Sequence, residues 1–173
     1  GAVYPFMDDS SMFIPPPDGA YEEYCVSCDY GTVNPTSMGL WARKGDIWYR
    51  VRESYYDARK EGRSRTDEEH YNSLAELCDH VNPICVIVDP SAASFIETIE
   101  RHGVYTVVRA DNNVIDGIRK TSQALKDGDI VICDTCKDRI REFSLYRGDE
   151  NKPMDTVIKR DDHAMDDIRY FVS

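Results

Sequence analysis

Two aspartates stand directly after apolar runs of strand character: Asp29 closes CVSCD, and Asp89 closes ICVIVD, which Pro90 then ends. The carboxyl ends of strands are where open α/β sheets build their sites. If the two strands are parallel neighbours, the carboxylates sit one strand spacing apart, roughly 5 Å. Two anions that close are stable only if one takes up a proton or a divalent cation lies between them, and hard oxygen donors suit Mg²⁺ or Mn²⁺. The plainer alternative, that each aspartate caps the turn after it, stays open at this point. The C-terminal stretch DDHAMDDIRY adds an imidazole and a further acid. His163 and Asp166 are three apart, hence on one face of a helix, with Asp162 as a rival ligand. A solvated acidic helix start explains the same residues without chemistry.

The cysteines suggest a different metal at first. Cys25 with Cys28 and Cys133 with Cys136 form two CxxC pairs, and four thiolates can hold structural zinc. Cys25 and Cys28 fall in an expected strand, however, where residues three apart point to opposite faces and lie roughly 10 Å from each other. No zinc is expected, and the thiols read as small buried hydrophobes.

The elements that must place these residues follow from turn signals and periodicity. Residues 22–30, 36–43 and 46–57 read as three strands separated by GTVNP and KG, an antiparallel meander. TDEE at 66–69 resembles a capping box, and Tyr71, Leu74, Leu77 and Cys78 form the apolar stripe of the helix it starts. The run 84–89 is apolar on both faces, as expected of a buried parallel strand. A helix at 91–102, a strand at 104–108, a helix at 113–126, a strand at 129–133 and helices at 136–146 and 162–171 complete the order. Residues 1–20 hold four of the eight prolines and no basic residue, so they read as an arm or linker, with the domain at 21–173.

At 173 residues, 41% hydrophobic and 31% charged, the chain fits one domain with a packed core. No apolar run is long enough to span a membrane and no secretory leader is read, so a soluble intracellular chain is expected. The net charge of −11 opposes binding to nucleic acid on average. Locally it reverses: residues 41–65 carry eight basic residues against four acids, interleaved with Trp41, Trp48, Tyr49, Tyr55 and Tyr56. The loop ARKEGRSR, with Arg59, Lys60, Arg63 and Arg65, is the best candidate for contact with DNA phosphates; Lys137, Arg139, Arg141 and Arg147 form a second, acid-cancelled patch. No phosphate-cradling GxxxxGK[ST] is present, so ATP hydrolysis is not expected.

These pieces carry a resemblance. GAVYPFMD, VSCDYGTVNPTSMGLW, VIVDPSAASFI, RADNNVIDGI and VIKRDDHAMDDIRY, in this order and over nearly the whole chain, resemble the C-terminal nuclease domain of the large terminase subunit of tailed bacteriophages. The resemblance implies an RNase H-like α/β fold, with a mixed five-stranded sheet of order 3-2-1-4-5, strand 2 antiparallel, flanked by helices. It places the acidic cluster on Asp29, Asp89 and Asp166 with His163 beside it. Two divalent cations, Mn²⁺ or Mg²⁺, would be held there, bridged by Asp29, with Asp89 on one and Asp166 on the other. Implied partners are concatemeric double-stranded DNA, cut with little sequence preference, an N-terminal ATPase domain of the same protein, the portal and the small terminase subunit. The implied location is the host-cell cytoplasm. A resolvase- or transposase-type RNase H-like nuclease, or a catalytically idle docking domain, are the alternative readings.

Overall fold

A computed structural model describes residues 14–111, 120, 123–136 and 163–172, with the backbone alone for 163–165. The meander forms as its turns dictate, with β1 (Glu23–Asp29), β2 (Thr36–Lys44) and β3 (Ile47–Tyr56) pairing in sequence. A short helix α1 (Ala58–Glu61) follows, begun by the Asp57 side chain and ended at Gly62 in the left-handed region. Helix α2 (Asp67–Cys78) starts on the expected capping box. Thr66 Oγ1 accepts the Glu69 N–H at 3.2 Å, and the Glu69 carboxylate accepts the Thr66 N–H at 3.2 Å. β4 (Val86–Val88), α3 (Ala93–His102) and β5 (Val107–Arg109) come next, then α4 (residues 123–127), β6 (Ile130–Ile132) and α5 (His163–Val172). The helix expected at 136–146 lies outside the described residues, as does most of that at 113–126.

The strand order is β5-β4-β1-β2-β3-β6. Its first five strands reproduce the order 3-2-1-4-5 of the RNase H-like fold, with β1–β2 and β2–β3 antiparallel and β1–β4 and β4–β5 parallel. The sixth strand, expected at 129–133, docks parallel to β3 and extends that edge. Ile14, near the end of the proline-rich arm, makes one parallel bridge to Cys133, and the Tyr21 hydroxyl donates to the Pro17 carbonyl at 2.6 Å. Residues 1–13 lie outside the described residues.

Helices cover both faces, so the inner strands alternate between two apolar layers. On one side Val26, Cys28, Leu40, Val86 and Val88 pack with Leu74 and Leu77 of α2 and Phe95, Ile96 and Ile99 of α3. On the other, Cys25, Trp41, Ile130 and Ile132 pack with Leu125 and with Ile168 of α5. Cys25 and Cys28 therefore sit in opposite layers, as the strand period requires, and so do Cys133 and Cys136. All six cysteines are free thiols.

Candidate active site

Register decides where the two strand-end aspartates go. In the β1–β4 ladder Val26 faces Val86, Ser27 faces Ile87 and Cys28 faces Val88, so the next pair along the parallel strands is Asp29 beside Asp89. The Asp89 N–H donates to the Cys28 carbonyl at 3.4 Å, which ties the second strand's end to the first. Cys28 and Val88 belong to the α2–α3 layer, so the period of two turns both aspartates to the opposite face, under α5. Asp29 is buried and Asp89 half-buried.

The electrostatics carry the same message. Burial pushes the Tyr170 hydroxyl well above its ordinary range, and the Asp29 and Asp89 carboxylates push it further. Burial also raises the Cys28 thiol, again assisted by Asp29, Asp167 and Asp89. One tyrosine on α5 and one cysteine on β1 thus feel both strand-end anions. Asp166 lies one helical turn before Tyr170, on the same face of α5. It is buried and ion-paired with Arg169. His163 is the first residue of α5, and its side chain lies outside the described residues, as do Asp161 and Asp162.

The plainer role of Asp89 is also present. Its Oδ1 accepts the Ser91 N–H at 3.0 Å, capping the turn into α3. That bond occupies one carboxylate oxygen and leaves a second, which is compatible with a ligand role. Among the described residues no three potential ligands converge on one point. What the sheet supplies is a pair of adjacent carboxylates, with a third acid on the helix packed against them and held by an arginine. This oxygen-rich donor set fits a hard divalent cation and does not fit zinc at the cysteines.

The basic loop lies at the same end of the sheet. β3 runs parallel to β1, Thr36 pairs with Tyr56, and Ser37 pairs with Asp29, so the chain leaving β3 enters α1 two strands from Asp29, roughly 10 Å away. The loop rests on the β1–β2 turn: Arg59 donates to the Asn34 side chain at 3.4 Å, and Ser64 donates to the Thr32 carbonyl at 3.2 Å. Its four basic residues are unlike one another. Arg59 and Lys60 are exposed. Arg63 is forked onto Glu69 at 2.8 and 3.1 Å, while Arg65 donates to Ser73 at 2.8 Å and lies 3.9 Å above the Tyr56 ring. The patch at 137–147 lies outside the described residues.

One member of the basic segment is not on the surface at all. Arg50 is fully buried, so it adds nothing to a track for DNA. It forks onto Asp167, with Nη2 donating to Oδ2 at 2.9 Å and Nη1 to Oδ1. Asp167, also fully buried, accepts from Ser27 Oγ at 2.8 Å and from Ser37 Oγ, and Ser27 Oγ in turn accepts the Trp41 indole N–H at 2.9 Å. Sequence reasoning missed this pair. An arginine among exposed-type residues on an amphipathic strand gives no signal of burial; the only hint was a second acid directly after Asp166.

Against the large terminase of a thermophilic bacteriophage, solved in complex with ATP-gamma-S, the chain superposes with a TM-score of 0.92 and 42% identity over 99% of its length. The chain belongs to the large-terminase nuclease family. It spans under half of that terminase, 45% of its length. The P22 large terminase nuclease domain matches with a TM-score of 0.76 and 16% identity, covering 99% of this chain and 91% of that one. The nuclease domain of the large terminase from bacteriophage SPP1, solved with bound Mn, matches with a TM-score of 0.56 and 21% identity, covering 87% and 85%. At such identities the latter two establish the fold. No protein-family model and no curated protein sequence matches the chain.

Proposed function

We propose that this chain is the nuclease domain of a phage packaging terminase and acts as a metal-dependent endonuclease on concatemeric double-stranded DNA, with little sequence preference. The observation that carries the reading is the β1–β4 register, which sets Asp29 beside Asp89 on the face that α5 covers. Asp29, Asp89, Asp166 and His163 would hold two divalent cations, with Asp29 as the shared ligand because it comes from the inner strand. When bound, the cations supply an activated water and a positive charge at the departing 3′ oxygen, which a carboxylate cluster by itself lacks.

The remaining work belongs to this chain's side chains. The crowded carboxylates fix where cationic charge must sit, and so where a phosphodiester can approach an otherwise anionic surface. Arg59 and Lys60, exposed at the same end of the sheet, bind the flanking phosphates and hold the duplex across the strand ends. Arg63 and Arg65, held by Glu69 and by Ser73 and Tyr56, brace the loop and contribute a second line of positive charge. Binding through phosphates alone is independent of sequence, which suits cutting with little sequence preference.

Residues 1–20 are read as the connection to the N-terminal ATPase domain. The portal and small terminase subunit are read as the partners that time cutting, in the host-cell cytoplasm. The test is nicking and linearisation of supercoiled plasmid in Mn²⁺ or Mg²⁺ by the wild type and by Asp29→Asn, Asp89→Asn and Asp166→Asn. Wild-type cutting that chelator abolishes and each substitution cripples is the expected result. Equal cutting by wild type and Asp29→Asn would remove that residue from catalysis, and no cutting by the wild type in either metal would favour a docking domain.

A further inference from the structure

Resting on the nuclease reading, we infer that Asp167 is a positioning residue: held by Arg50, it sets the rotation and height of α5 so that its neighbour Asp166 meets the strand ends carrying Asp29 and Asp89. A slip in the β2–β3 ladder is what buries Arg50. The β2–β3 ladder slips between Leu40 and Trp41, where Leu40 pairs with Arg52 and Trp41 with Arg50, leaving Val51 as the extra residue of a bulge. Without the slip Arg50 and Arg52 would share a face. With it, Arg52 turns toward α2, donating to the Leu77 carbonyl at 3.0 Å, and Arg50 turns under α5.

Room for the guanidinium is made by Gly39. A Cβ at that position would lie 1.9 Å from Arg50 Nη1 and 2.3 Å from its Cζ, so the space of the missing side chain is where the fork lies. The Trp41 ring is 5.5 Å from the guanidinium carbon on the same face. Arg50, Ser37 and Ser27 thus present donors from three consecutive strands in one row, and all of them reach a single carboxylate on α5. Burial raises the Asp167 carboxyl and opposes the Arg50 charge, while each group favours the ionised form of the other. A guanidinium stays charged in proteins, so the pair holds as an ion pair with both carboxylate oxygens doubly satisfied.

Such an arrangement does more than bury area. Apolar packing at Ile168 tolerates sliding and rolling, whereas a fork met by two hydroxyls is satisfied in one orientation only. Successive helical residues are about 100° apart, so a roll of α5 that releases Asp167 also carries Asp166 and Tyr170 off the strand ends. Ser37 makes the link shortest, since it donates to Asp167 and pairs across the ladder with Asp29.

The test uses the chain as it stands, with Mn²⁺ as the probe. In the double variant Arg50→Met with Asp167→Leu, both charges of the fork leave together, and Glu53, 3.4 Å from Arg50 Nε, loses that one partner. Isothermal titration should show Mn²⁺ binding weakened by about tenfold or more, in the range of lost outer-shell support, with kcat on plasmid lowered and KM for DNA unchanged. Arg50→Lys keeps the charge but loses the fork and should weaken Mn²⁺ binding by a few-fold in the same direction; it serves if the double variant does not fold. A folded double variant or Arg50→Lys that binds Mn²⁺ as tightly as the wild type overturns the inference, however much its melting temperature has changed. If the wild type neither binds Mn²⁺ nor cuts DNA, the nuclease reading itself fails, an outcome distinct from the first.

Discussion

Asp29→Asn should make the metal-free protein more stable while abolishing its activity. The two carboxylates occupy adjacent positions on parallel neighbours, so their separation is about one strand spacing, roughly 5 Å. With an effective dielectric constant of about 20, two like charges at that distance repel by about 3 kcal/mol, and the half-exposed Asp89 lets in water that reduces this toward about 1 kcal/mol. A gain of about 2 kcal/mol in a domain of this size corresponds to a rise in melting temperature of about 4–8 °C. Asparagine keeps the size and one acceptor of the side chain, so packing costs little. The assay is calorimetric or fluorescence-detected melting in chelator, repeated across a Mn²⁺ titration. At about 100 times its dissociation constant, Mn²⁺ should add about 2.7 kcal/mol to the wild type. The variant should gain far less, so that the two melting curves cross as metal is added. A variant that melts lower than wild type in chelator, or shifts equally with Mn²⁺, refutes the idea that crowded anions are what the cation relieves.

Three other outcomes follow from the structure. His70 is buried against the Tyr30, Phe95 and Tyr56 rings, and burial, with Arg65 assisting, pushes its pKa down to about 4 from 6.5. The unfolded chain therefore binds the extra proton first, and stability present above pH 6.5 falls as pH drops toward 4, by about 3 kcal/mol over the window. His70→Phe should flatten that part of the denaturation profile; an unchanged slope between pH 6.5 and about 5 would contradict the assignment. Cys85 is half-exposed, and the hydrogen bond with Cys25, whose sulfur lies 3.5 Å away, draws its thiol down to about 7. Iodoacetamide at neutral pH should label Cys85 before the five buried cysteines, as read by peptide mass mapping. Replacing Arg59 and Lys60 together with glutamate should reduce the slope of log affinity against log salt for duplex DNA by about 2, one contact for each residue, with no change in melting temperature. An unaltered slope would move the DNA path elsewhere.

Much of the frame was readable from residue order. The turn signals between residues 22 and 57 specify the meander, and the unbroken apolar run before Asp89 specifies a strand with both faces covered, because only such a strand lacks a polar side. Thr66 and Glu69 mark a helix start through local bonds that need nothing from the rest of the chain. Periodicity likewise separates Cys25 from Cys28. Other features depend on partners far away in the chain. Whether Asp29 and Asp89 are adjacent is a matter of ladder register, and a shift of one residue would put one of them on the opposite face. Arg50 reads as surface charge until the Val51 bulge rotates it inward, into a space that Gly39 leaves open from another strand. Asp166 and Asp167 are indistinguishable as letters, and the rotation of about 100° between them on α5 sends one toward the strand ends and the other to a buried fork. Local preference and period settle which elements form, because those energies act within a few residues; which of the two acids is forked into the core is decided by donors from three strands meeting one carboxylate, and that exists only once the sheet is assembled.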